Sequence, residues 1–171
     1  LWYDYNGYDK EPLSTATRIK FLLGHIIEEL TLFLVREAGH EVTMCQEEVK
    51  VNGVKGHIDA MIDGELVDVK SASPYGFRKF HNGSLKDDDP FGYIYQISSY
   101  AKALKKDAGY FLAVDKSNGF MTLLKTDVTD INPEERIDQL RKTLSDKEPP
   151  EKCYKPTEEN NGNKKLAIGC K

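Results

Sequence analysis

Two strings hold the groups with the most chemical potential in this sequence. They are Gly56-His57-Ile58-Asp59 and Glu65-Leu66-Val67-Asp68-Val69-Lys70, linked through Asp63-Gly64. Asp-Gly between β-favouring runs signals a two-residue hairpin turn. Such a turn pairs Ile62 with Glu65, Met61 with Leu66, Ala60 with Val67, and Asp59 with Asp68. Alternation then places His57, Asp59, Met61, Leu66, Asp68 and Lys70 on one face, and Ile58, Ala60, Ile62, Val67 and Val69 on the other. Opposed carboxylates repel, and two that share a site do not both ionise easily. A hard dication, Mg²⁺ or Mn²⁺, is the natural compensation. Lys70, one step along, could position a water or offset charge growing on a phosphate. Against this stands the plainer reading of an Asp-x-Lys strand as a solvated ion pair worth about 0–1 kcal/mol.

A third carboxylate shifts the balance. Glu28 lies in a stretch, Ile19 to Val35, that is apolar on nearly every face, which predicts a helix packed on several sides. Gly24, one turn earlier, leaves room beside it for a metal, a water or another backbone. Charged groups are seldom buried unless paired or coordinated. The expectation is that this helix lies against the open polar face of the strands and brings Glu28 to an ion held by Asp59 and Asp68. The plainer reading is a helix end near solvent with Glu28 or Glu29 exposed, and it suits Glu29 better than Glu28; His25 is expected as a polar core or rim residue.

The elements that must position these groups follow from local signals. Ser14 or Thr15 caps a helix to about Ala38, and Gly39 stops it. Asn52-Gly53 and Asp63-Gly64 divide the next stretch into a three-stranded meander over 41–51, 54–62 and 65–71. Residues 72–88 read as a long surface loop. Asp89-Pro90 opens a helix to about Lys106, strands follow at 108–114 and 119–125, and Asn132-Pro133 opens a helix to Leu144. Beyond Ser145 the composition turns to Lys, Glu, Pro, Asn and Gly. This predicts one α/β (α+β) domain over 1–145 and a weakly packed polar tail over 146–171, the start of a segment whose remainder is missing being the other reading.

In this order the strings resemble the core motif of the PD-(D/E)XK nucleases. Gln96 and Tyr100 match the Q-x-x-x-Y signature of its RecB-like branch, which includes phage-type exonucleases. The likeness spans about residues 14–125. It implies a restriction-endonuclease-like core, a central mixed sheet flanked by helices in the order α-β-β-β-α-β. It also implies that Asp59, Asp68 and the backbone carbonyl of Val69 bind the metal, and that Lys70 orients the nucleophilic water. Gln96 and Tyr100 would hold the substrate strand or buttress the site. The family commonly has His where Glu28 stands, and a carboxylate there still suits Mg²⁺ or Mn²⁺.

The loop after Lys70 offers Ser71, Ser73, Arg78, Lys79 and Lys86 for phosphates, with Tyr75, Phe77 and Phe80 for stacking. An ordinary solvated loop is the competing reading. Lys102, Lys105 and Lys106 suit a helix C-terminus equally well. The 171 residues carry 24 Lys and Arg against 28 Asp and Glu, a formal charge of −4, unlike a passive nucleic-acid coat. Three cysteines make no disulfide framework, and an intracellular setting is expected. Cys45 is expected in the core. Cys153 and Cys170 lack a compact partner motif, so an iron–sulfur cluster, known in some relatives, is not expected in this chain. No run approaches a membrane span, and the aromatic, acidic start resembles no targeting peptide. The expected function is metal-dependent DNA hydrolysis, exonucleolytic by resemblance, with a phage-encoded protein acting in the host cytoplasm as one reading. The alternative is an inactive nucleic-acid-binding module of the same fold. Polarity, strand preference, DNA against RNA, metal count and oligomeric state stay open.

Overall fold

The structure, a computed structural model, describes residues 1–10, 12–151, 157–161 and 164–168, the last two segments by backbone alone. It separates into two units, Glu11–Asp138 and a smaller one of Leu1–Lys10 with Gln139–Lys171. In the smaller unit, the short helix α1 (Trp2–Tyr5) buries Trp2, whose indole Nε1 donates to the Asp146 carbonyl at 3.0 Å. The Tyr3 and Tyr8 rings pack against it. Two strands further along, Thr157–Asn161 and Lys164–Ile168, pair as an antiparallel hairpin where the composition alone suggested a polar tail.

The larger unit opens with α2 (Thr15–Glu37), whose Ser14 side chain accepts from the Thr17 N–H as expected of an N-cap. Five strands then follow: β1 (Val42–Thr43), β2 (Glu48–Val51), β3 (Val54–His57), β4 (Ala60–Ile62) and β5 (Glu65–Ala72). The expected meander is therefore broken. β2 and β3 form a separate ribbon, while β1, β4 and β5 join β6 (Ala108–Asp115) and β7 (Met121–Asp127) in a mixed sheet of order β1-β4-β5-β6-β7. The break has a local cause. Met44 and Gln46 take positive φ between β1 and β2, and residues 58–59 leave the ladder between β3 and β4. β5 and β6 run parallel, joined by a crossover that contains α3 (Pro74–His81) and α4 (Tyr93–Leu104).

Residues 72–88 are not a loop. Ser73 caps α3 by accepting from Gly76 N–H, with Pro74 in the first turn, and Phe80 is buried. The expected start of the following helix is also displaced. Asp89 accepts from the Tyr93 and Ile94 N–H groups, so it caps the helix from a distance while Pro90 stays outside. A further helix, α5 (Pro133–Ser145), begins at the expected proline, where Asn132 accepts from Glu135 N–H.

The sheet buries different sets on its two faces. Met61, Leu66, Phe111 and Ala113 meet Phe80, Ile94, Ile97 and Ala101 in the larger core. Ala60 and Val69 meet Leu32 of α2 in a smaller one. Thus α2 lies on the face opposite Asp68 and Lys70, not against them as expected, and the polar face expected to be open is covered by α3 and α4. Nor is α2 packed on several sides. Only Thr31 and Leu32 are buried, whereas Ile19, Leu22, Leu23, Ile26, Leu30 and Phe33 are half exposed. Cys45 is exposed in a turn, 3.0 Å from Arg36 Nη2, rather than in a strand core. Cys153 and Cys170 lie outside the described residues. No helix among the described residues is long and apolar enough to cross a membrane.

Candidate metal-binding site

The hairpin register is the one its Asp-Gly turn demands: Ala60 pairs with Val67, Met61 with Leu66 and Ile62 with Glu65. Asp59 does not continue the ladder opposite Asp68, because β4 begins only at Ala60. Instead its Oδ2 accepts the Val69 N–H at 2.7 Å. The carboxylate takes the place of the missing strand at that point of the β5 edge.

Asp68 is only 1% exposed. Neither of its oxygens accepts a well-directed hydrogen bond, and the Lys70 ammonium lies 2.6 Å from Oδ2. Glu28 reaches the same locality from α2. Its Oε1 accepts from Gln46 Nε2 at 2.5 Å, and its Oε2 lies 4.0 Å from His25 Nδ1. Gly24 has ordinary contact room beside Ser71, where an added Cβ would stand 3.7 Å from Oγ.

Electrostatics bind these groups together. Burial pushes the Asp68 carboxyl up to about 7, opposed by Lys70 and reinforced by the Asp59 and Glu28 charges. Burial also raises Asp59, against the Val69 N–H bond and Lys70. Glu28 is raised by burial and then by the Asp59 charge. Burial works against the Lys70 ammonium, yet the Asp68 carboxylate beside it carries the net shift upward. The amine is held protonated.

Each carboxylate is thus turned onto a protein group, and among the described residues no three His, Cys, Asp or Glu side chains stand close enough to grip one ion as they are. The donor set nonetheless fits a hard dication. The two Asp68 oxygens are buried without a well-directed hydrogen bond, and the Asp59 and Glu28 charges favour a cation, whereas the Lys70 ammonium opposes it. Closing on it requires Asp59 to turn from the Val69 N–H and Glu28 to swing Oε2, which has only His25 Nδ1 at 4.0 Å, toward the ion.

On the opposite side of Lys70, Nζ donates to Gln96 Oε1 at 3.2 Å, and Gln96 Nε2 donates to the Tyr100 hydroxyl at 3.2 Å. The ammonium also sits 4.9 Å from the Tyr93 ring centroid. These three α4 residues share a stripe, and Tyr93 escaped the sequence reading although its spacing from Gln96 and Tyr100 signals that face. Gly56 of β3 presses on the Tyr100 ring, so closely that a Cβ there would lie 2.7 Å from it.

Ser71, Ser73 and Lys79 line a pocket of about 230 Å³ beside Lys70, with Phe91, Tyr93 and Lys116, which the sequence reading missed. Lys79 is paired with Asp88 across this pocket. Arg78 is not in its lining; it lies on α3 with its guanidinium over the Tyr75 ring. The Lys86 ammonium turns to the Asp127 carbonyl at 3.4 Å. Gln46 was also missed, and no local pattern marks it.

No family model and no curated protein matches the chain. Solved structures do. The alkaline exonuclease LHK-Exo of Laribacter hongkongensis superposes with a TM-score of 0.53 at 14% identity, over 82% of this chain and 73% of its own. A phage-related exonuclease of Haemophilus somnus 129PT gives 0.52 at 15% identity, over 84% and 73%. At such identities the likeness is one of fold, and it agrees with the strand order and crossover described above. The chain has the fold of these exonucleases, a central mixed sheet flanked by helices as the resemblance to PD-(D/E)XK nucleases implies.

Proposed function

We propose that this protein is a metal-dependent deoxyribonuclease, acting as an exonuclease within the cell. The observation that carries the reading is the buried Asp68 carboxylate, paired with Lys70, with no well-directed hydrogen bond on either oxygen and with Asp59 and Glu28 beside it, on the fold shared with exonucleases. Glu28, Asp59, Asp68 and the Val69 carbonyl would hold Mg²⁺ or Mn²⁺. The bound ion supplies Lewis acidity and charge neutralisation toward a phosphodiester.

Lys70 does the rest of the local chemistry. Its protonated amine can orient an attacking water and meet charge that grows on the phosphate oxygens. Gln96 and Tyr100, with Tyr93, fix where that amine points. Ser71, Ser73 and Lys79 offer phosphate contacts in the adjoining pocket, and Arg78 offers one from the outer face of α3.

The test is incubation of linear and circular DNA with Mg²⁺, Mn²⁺, Ca²⁺ or a chelator, alongside Asp68→Asn. Loss of linear DNA alone, dependent on Mg²⁺ or Mn²⁺ and abolished in the variant, supports the exonuclease. Cutting of circles makes it an endonuclease. Metal-enhanced binding with no cutting overturns the enzyme in favour of an inactive binding module of the same fold.

A further inference from the structure

Gln46 sits in the connection between β1 and β2, where the chain adopts two unusual conformations. Met44 has φ +50° and Gln46 has φ +55°, a region non-glycine residues rarely enter. Such backbone persists only where the surroundings hold it in place. Here the hold comes from the segment that carries Asp59. The Gln46 N–H donates to the Asp59 carbonyl at 3.3 Å, and the Ile58 N–H donates to the Glu47 carbonyl at 3.1 Å.

That conformation sends the Gln46 side chain to α2. Its Nε2 donates to Glu28 Oε1 at 2.5 Å, whereas Oε2 has only His25 Nδ1 at 4.0 Å. One residue therefore ties the helix carboxylate by its side chain and the Asp59 segment by its backbone. The two groups come from elements 31 positions apart in the chain with no strand pairing between them, so nothing in the sheet itself sets their separation. An amide suits this place. It donates to one carboxylate oxygen, leaves the second available, and adds no negative charge beside the acidic groups.

We infer that Gln46 is a positioning residue for the metal site, fixing the Glu28 carboxylate relative to Asp59 so that its second oxygen can meet a dication. The inference rests on the reading of Glu28, Asp59 and Asp68 as the cation's holders. Outer-shell partners of metal-ligating carboxylates typically change metal affinity by about 10–100-fold when removed.

The experiment is calorimetric titration of the whole protein with Mn²⁺, comparing the parent with Gln46→Ala and Gln46→Asn, and melting of all three in chelator. Asn tolerates the left-handed backbone but is one methylene too short, so it separates loss of reach from loss of the turn. Both variants should melt with the parent, because Gln46 is exposed, and both should bind Mn²⁺ at least about 10-fold more weakly. Cleavage at saturating Mn²⁺ should recover most of its kcat, with the requirement for metal shifted upward. If either soluble variant binds Mn²⁺ within about twofold of the parent, Gln46 has no positioning role, while the metal reading stands. A parent that takes up no Mn²⁺ overturns both.

Discussion

Lys70 is held by three partners at once, which makes its role separable from that of the carboxylates. Asp68, Gln96 and the Tyr93 ring fix its ammonium, and an ammonium has no lone pair to give a metal. Lys70→Ala should therefore lower DNA cleavage by about 100-fold or more, the scale of a positioned proton-handling group, while calorimetric Mn²⁺ binding persists. Loss of Mn²⁺ binding together with activity would show that Lys70 builds the metal site and does not act beside it. At this scale, what the sequence disclosed depended on local geometry. Strand alternation and the Asp63-Gly64 turn were enough to give the Ala60–Val67 register and to set Asp68 and Lys70 on one face. The partner chosen by Asp59, the Val69 N–H, was not readable, because it depends on β4 starting only at Ala60. Gln46 was hidden for a related reason: its reach relies on a left-handed backbone at a residue type that seldom adopts it.

The elements show where apolar pattern misleads. An all-round apolar α2 predicts burial all round, yet only its inner stripe contacts the sheet, through Leu32 against Ala60 and Val69. Leu30, two residues before Leu32 and on the outer stripe, is 52% exposed. Leu30→Lys should then shift the melting temperature by less than about 2 °C, whereas Leu32→Ala should cost about 2–5 kcal/mol and lower it by at least about 5 °C. Equal losses from both would mean that α2 is covered on its outer side in solution. The ends of elements were legible where a side chain caps them, as at Ser14 and Asn132. The same cap-plus-proline signal stands at Ser73-Pro74, masked by the Gly, Ser and charge content around it. Gly56 gives a second test at this scale, since its neighbour is the Tyr100 ring that completes the Lys70–Gln96 chain. Gly56→Ala should cost about 1–3 kcal/mol by overpacking, and much of that loss should vanish when Tyr100→Ala is added. Additive melting losses would place the strain elsewhere.

For the molecule as a whole, the raised carboxyls turn the site into a pH-dependent load on folding. Between the ordinary Asp value of 3.8 and about 7, folded Asp68 keeps a proton that the unfolded chain releases. The native state binds more protons in that window, so stability falls as pH rises through it and levels off above. Asp59 and Glu28, also raised, act in the same sense. In chelator, Asp68→Asn should therefore melt closer to the parent at pH 5 and increasingly above it toward pH 8. A dication reverses the slope, because it favours the ionised carboxylates that burial opposes, and binding to the folded form alone stabilises by mass action. Mn²⁺ should raise the melting temperature of the parent more at pH 8 than at pH 5.5, and should do little for Asp68→Asn at either. Melting curves at those two pH values, with Mn²⁺ and with chelator, decide the matter. If the difference between the parent and Asp68→Asn in chelator stayed constant from pH 5 to pH 8, the buried carboxyl would be ionised throughout and its pairing with Lys70, rather than its burial, would govern the site.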